Sequence, residues 1–133
     1  MDPTAMRSRL AAARVARLAT VRAGGQPHLV PCCFVLLDET VYSAVDAKPK
    51  STFALQRLAN IRAHPAVTLL VDHYAEDWSA LWWVRVDGRA TTIEGRDRDV
   101  AVAALQDKYE QYRRYPPPGA VIAIAIESWR GWP

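Results

Sequence analysis

The stretch "HLVPCCFVLLDETVYSAV" (residues 28–45) decides how the chain is built. Its first ten residues, 28–37, are almost continuously apolar, as in a strand covered on both faces. Pro31 removes a ladder donor and marks an edge or a bulge. "DET" turns the chain, and "VYSAV" (41–45) follows as a strand. Before it, "VARLATVRA" (15–23) reads as a strand closed by "GGQP" (24–27). Three strands in succession without an intervening helix predict an antiparallel meander.

Outward from this core, residues 4–13 form a short helix with Thr4 as its candidate N-cap. After Pro49, "KSTFALQRLANIRAH" groups Phe53, Leu58 and Ile61 near one helical face, and Pro65 stops it. "AVTLLVD" (66–72) is a strand and "HYAEDWS" (73–79) a loop. "ALWWVRVDGRATTIE" (80–94) is either one long strand with a bulge at Gly88 or a hairpin turning at Asp87–Gly88. "DRDVAVAALQDKYEQY" (97–112) is a helix with Asp97 as its N-cap. "YPPPG" (115–119) is a stiff connector, and "AVIAIAIESW" (120–129) is the last strand. Two helices interrupting a series of strands argue against a parallel sheet and for a small antiparallel barrel with peripheral helices. The 133 residues suit one domain, spanning 1–133. Several strands are apolar on both faces, so a second copy of the chain is the expected cover.

Composition narrows the function. Half of the residues are apolar and the formal charge is +3, which favours an anionic ligand weakly. The charges form no block and no stripe with aromatics in register, which argues against a nucleic-acid module. No apolar run has the length to span a membrane, so a cytoplasmic protein is expected. The neighbouring cysteines Cys32 and Cys33 point to opposite faces of a strand and read as small buried hydrophobes. His28, His64 and His73 lack metal-ligand spacing, and no metal site is expected. Glu76 and Asp77 point apart. Phosphate-loop, dinucleotide, zinc-protease and nucleophile-elbow motifs are absent, and no catalytic side chain is identified. Chemistry here would rest on a bound organic cofactor.

Two places invite such a ligand. In "AVDAKPKSTFAL" (44–55), a strand runs into a helix start that offers unpaired N–H groups, with Lys48, Lys50, Ser51 and Thr52 at the join. Arg57 reaches the same anion if its face turns that way. A plain capped helix with solvated lysines is the other reading. Elsewhere, consecutive Trp82 and Trp83 face opposite ways, and Trp83 shares its side with Leu81 and Arg85. An aromatic wall with an arginine at its polar edge suits a flat ring; core packing is the other reading.

The ordered series "G-x-P-H-x-V-P", the basic junction, "N-I-x-x-x-P-x-V-x-L-L-V-D" and "W-V-R-V-D-G" resembles the split β-barrel flavin and deazaflavin oxidoreductases, the pyridoxamine 5'-phosphate oxidase-like proteins. The similarity runs from about Val15 to Trp132, and is strongest to the actinobacterial branch of coenzyme F420-dependent enzymes. It implies a mainly β, FMN-binding split-barrel fold and a homodimer with cofactors in the clefts between subunits. It further implies that Lys48, Lys50, Ser51, Thr52 and Arg57 hold the phosphate, that the backbone of Val30, Pro31 and Cys32 borders the ring, and that Trp83, with Arg85 beside it, faces the cleft. The activity implied is hydride transfer from reduced F420 to an organic acceptor. The alternatives are an FMN-dependent oxidoreductase and a flavin- or haem-binding carrier without catalysis.

Overall fold

The computed structural model describes residues 1–45 and 52–133, the side chains of 52–55 excepted. Helix α1 (Pro3–Ala12) is followed by β1 (Ala16–Val21), β2 (Pro27–Cys32), β3 (Val35–Leu37) and β4 (Thr40–Ala44). Helix α2 (Thr52–Ala63) leads into β5 (Ala66–His73), a 3-10 turn (Trp78–Ala80) and β6 (Trp82–Ile93). Helices α3 (Gly95–Lys108) and α4 (Glu110–Arg114) precede β7 (Val121–Trp132).

The described strands form one antiparallel sheet in the order β2-β1-β5-β6-β7-β4-β3. The expected antiparallel barrel with peripheral helices is present, but the meander is not. The apolar run 28–37 breaks at Cys33–Phe34 into two strands at opposite edges of the sheet. "VYSAV" pairs with β3 and β7, never with β2. The break has a large consequence. Laid flat, a sheet of this order would be about 29 Å wide at ~4.8 Å per strand. Yet Cys32 and Val35 are three Cα steps apart, at most about 11 Å. The sheet must therefore curl until its edges nearly meet. Pro31 sits on an edge strand, as its missing donor requires.

Curling gives an inner and an outer face. Leu18, Leu69, Val71, Val84, Val86, Ile122 and Ile124 fill the inside and are all but fully buried. Helix α1 lies over Trp82 and Trp129, with the Arg9 and Arg7 guanidinium carbons 5.0 and 5.2 Å from the ring centres. A second cluster, Val35, Ala44, Ala101, Leu105, Tyr112 and Val121, seats α3 and α4 on the outer face of β3, β4 and β7. β6 is one continuous strand with a bulge: Asp87 faces Ser128 but Gly88 faces Ile126. A Cβ on Gly88 would stand 2.3 Å from the Ala125 carbonyl oxygen, so only glycine fits.

Three helix boundaries differ from expectation. Asp2, not Thr4, caps α1, accepting from the Ala5 N–H at 2.8 Å with Pro3 in the first turn. Asp97 lies inside the first turn of α3, where its charge suits the helix dipole; the cap position is Glu94. The helix expected over 97–112 breaks at Tyr109. The Tyr109 hydroxyl accepts from the Phe34 N–H at 3.1 Å and lies 2.9 Å from the Arg14 carbonyl oxygen. Lys108 donates to the Phe34 carbonyl at 2.9 Å and sits 3.9 Å from the Phe34 ring centre. The break thus fastens α3 to the crossover. The last strand runs three residues past its expected end, through Trp132.

Burial, followed by the nearby Arg14, pulls the Lys108 pKa down to about 8 from the ordinary 10.5. Holding this ammonium in the fold carries a penalty that is full below pH 8 and vanishes above 10.5. Burial also raises the Cys32 thiol and moves Tyr109 up to about 12, so both oppose stability at high pH. The Tyr109 contribution is common to the native protein and Lys108→Met and cancels between them; that of Cys32 differs only by the charge of Lys108, the last of its causes. The stability of the native protein relative to Lys108→Met should therefore rise between about pH 8 and 10.5 in chemical denaturation. A pH-independent difference would contradict the assigned burial of Lys108.

Candidate functional site

The residues singled out in the sequence fall into two groups. Of the anion seat, Lys48, Lys50 and Ser51 lie outside the described residues. Thr52 opens α2, and its side chain is likewise outside them. The rest of α2 is well anchored. Asn60, fully buried, donates to the Thr20 hydroxyl at 2.9 Å and accepts from Gln56 at 2.6 Å. Leu58 and Ile61 pack into the barrel core. This fixes the helix against β1 and half-buries Arg57, whose Nε is enclosed and makes no hydrogen bond among the described residues.

Arg57 acts on the inward side of β2. The pKa of His28 is lowered by burial first, then by the charges of Arg22 and Arg57. The His28 Nδ1 atom is enclosed and lacks a hydrogen-bond partner there. Burial raises the Cys32 thiol, and Arg57 partly offsets this. Two arginines, the His28 imidazole and two unsatisfied nitrogens thus converge where α2 meets the edge strand. Sequence reasoning found no metal-ligand spacing for His28 and gave it no role; the "G-x-P-H" series is the one signal that marked it. Val30 and Cys32 share this inward side.

The second group lies on the outer face. Strand register aligns Pro31, Arg17, Leu70, Arg85 and Arg130 in one row across five strands. The adjacent outward row is Leu29, Ala19, Thr68, Asp87 and Ser128, and Asp72 faces Trp83 beyond Arg85. These rows enclose a groove of about 540 Å³ lined by Arg17, Leu29, Leu70, Asp72, Trp83 and Arg85 among others. Its charges are partly paired. Arg17 meets Asp72 at 3.1 Å. Asp87 accepts from Thr68 at 2.6 Å and from Ser128 at 3.1 Å. The Arg85 Nε stands 3.6 Å from Asp87, too far for a hydrogen bond, and is enclosed without a partner. Its guanidinium carbon lies 5.9 Å from the Trp83 ring centre. Leu29 is 66% exposed, and Val15 and Trp132 are also open to solvent on or beside this face. Helices α3 and α4 cover the opposite flank, so nothing in the chain's own described residues shields this one.

As expected, Trp82 and Trp83 part company: Trp82 stacks on His73 at 6.0 Å beneath α1, while Trp83 walls the groove. Pro31, Trp83 and Arg85 are brought to one face; Val30, Cys32 and Arg57 belong to the other. Between His28 and Trp83 lie five steps along the strands (~17 Å) and three strands (~14 Å). The two groups stand on opposite sides of the sheet. The described residues hold no group of three His, Cys, Asp or Glu side chains fit to bind a metal, and no helix among them is long and apolar enough to cross a membrane.

A sequence model of the pyridoxamine 5'-phosphate oxidase family matches residues 3–133. No curated protein matches at the level of sequence. Among solved structures, a FAD-binding protein from Mesorhizobium loti is 24% identical, with a TM-score of 0.75 over 98% of this chain and 94% of that one. The haem storage protein HutZ of Vibrio cholerae is 16% identical, with a TM-score of 0.78 over 98% and 92%. A haem-binding protein of Mycobacterium smegmatis is 21% identical, with a TM-score of 0.79 over 99% of this chain and 55% of that one. At these identities the likeness establishes the fold alone.

The contact between Arg57 and the β2 edge is open to test by NMR. His28 should titrate below its ordinary 6.5, and Arg57→Gln should move its midpoint upward while leaving it depressed by burial. An unmoved midpoint would separate Arg57 from His28.

Proposed function

Since this chain belongs to the pyridoxamine 5'-phosphate oxidase family, we propose that it is a homodimeric oxidoreductase that holds coenzyme F420 in clefts shared by two subunits. The observation that carries this reading is how the candidate residues divide: a corner with Arg57 and its enclosed Nε on one side of the sheet, the groove walled by Trp83 and Arg85 on the other. Two copies related by a two-fold axis bring the corner of one against the groove of its partner, twice over. The bare outer face, with Leu29, Trp83 and Trp132, gains the cover it lacks in one chain.

The residues fit such a cofactor. The enclosed, unsatisfied Nε of Arg57 and the start of α2 suit a phosphate, and Lys48, Lys50, Ser51 and Thr52 supply further donors from the same junction. Trp83 offers a flat wall, with Arg85 at its edge, and β2 lends its unpaired backbone edge along Val30, Pro31 and Cys32. Bound F420 would supply the hydride for an organic acceptor. The protein's part is to orient the ring, exclude water and balance charge; no side chain is assigned as a general acid. A second reading, a carrier of flavin or haem without catalysis, draws support from the haem-related proteins that share the fold.

Side-by-side titration of the apo-protein with F420, FMN and haem tests this. F420 should bind most tightly, and its margin over FMN should shrink with added salt, because its extra carboxylates meet exposed charges screened over about 10 Å at 0.1 M. Lys50→Ala should weaken F420 by roughly 1.5–3 kcal/mol, the worth of a charge-assisted hydrogen bond. Tighter binding of FMN at low salt would replace the deazaflavin, and haem alone binding would favour the carrier.

A further inference from the structure

The outer groove carries more positive charge than its own carboxylates answer. Arg85 and Arg130 stand directly opposite each other on β6 and β7, an arrangement of like charges that destabilises a sheet unless something lies between them. The nearby carboxylates have other hydrogen-bond partners. Asp72 is held by Arg17, and both oxygens of Asp87 accept from Thr68 and Ser128. The closest approach of Arg85 to Asp87 is a 3.6 Å ion pair without a hydrogen bond, and its Nε is enclosed and unsatisfied. Arg130 is exposed and has no ion pair among the described residues. Beside this pair, Leu29, Leu70 and Trp83 form an apolar floor in a groove of about 540 Å³, room for a ring system.

We infer that the groove binds an organic anion as the protein's substrate: a planar, apolar body seated on Trp83, Leu29 and Leu70, with one carboxylate lying between Arg85 and Arg130. Guanidinium groups suit this role because their forked donors match the two oxygens of a carboxylate. The inference deepens the reading of the outer face as one wall of the cofactor cleft, and names the class of acceptor that the cleft takes. A hydride acceptor must lie against the cofactor ring, and Trp83 borders both positions.

The probes are 2-naphthoate and its neutral amide, 2-naphthamide, titrated calorimetrically into the full-length protein, both free of cofactor and saturated with FMN. The acid should bind about tenfold or more tightly than the amide, since one charge-assisted contact separates them. Arg130→Gln should shrink that preference several-fold while leaving the amide unaffected, Arg85 keeping the remainder, and added salt should narrow it. Simultaneous binding of 2-naphthoate and FMN is expected. Equal affinity for acid and amide would overturn the inference, as would displacement of FMN by 2-naphthoate, which would make the arginine pair part of the cofactor seat. Failure of FMN to bind would leave the comparison in cofactor-free protein as the test of the anion site, and failure of F420 to bind as well would count against the cofactor reading.

Discussion

Two residues, Cys33 and Phe34, join the two edge strands of the sheet, and the architecture follows from that short span. With β2 and β3 tied within about 11 Å, the strands between them have to curl. The tie is clamped from outside: Lys108 on the Phe34 carbonyl, and Tyr109 on the Phe34 N–H and close to the Arg14 carbonyl. Ser43 adds a bond from within the barrel, donating to the Cys33 carbonyl at 2.8 Å. Backbone groups stranded where the ladder stops are thereby satisfied. The cost is a lysine kept partly out of water, visible in its lowered pKa.

Once the sheet curls, the placement of helices decides what is left for function. Helix α1 covers Trp82 and Trp129, α2 sits against β1, and α3 with α4 takes the outer face of β3, β4 and β7. The outer face of β2, β1, β5 and β6 is left without cover from the described residues. It carries aromatic and aliphatic surface together with several arginines and the carboxylates of Asp72 and Asp87, a mixture unlike either a core or an ordinary solvated face. The groove and the arginine pair belong to this uncovered flank, Arg130 lying at the far end of β7 beyond the part that α3 and α4 cover. The bulge at Asp87–Gly88 helps compose it. By leaving Glu127 unpaired, it places Ser128 opposite Asp87 and Arg130 opposite Arg85.

Much of this was legible in the residues. Alternation along "LWWVRV" put Trp83 and Arg85 on one side and Trp82 on the other, and Pro31 marked an edge. Proline and glycine located several element ends, at Gly24–Pro27, Pro65 and Pro116–Gly119. The crossover was not legible, because Cys33 and Phe34 are as apolar as their neighbours and carry no turn chemistry. Nor was the break in the second long helix: Tyr109 leaves the helix for partners 75 and 95 residues away, a tertiary contact overriding local preference. His28 was given no role because its companions Arg22 and Arg57 gather around it only in three dimensions. The like-charged pair of Arg85 and Arg130 depends on strand register, which no single strand reveals. The basic junction at Lys48–Ser51, the strongest functional signal in the sequence, lies outside the described residues.

The central claim, that the corner of one copy and the groove of another make one site, is tested most directly by complementation. Arg57→Ala removes the corner and Trp83→Ala the groove wall, so each variant alone should bind cofactor poorly. Unfolded and refolded together, they form mixed dimers in which one cleft is damaged twice and the other is intact. About a quarter of the native binding capacity should then return at native affinity, the statistical share for random pairing in a two-fold dimer. A mixture that binds no better than the separate variants, despite forming mixed dimers, would mean that each chain builds its site alone.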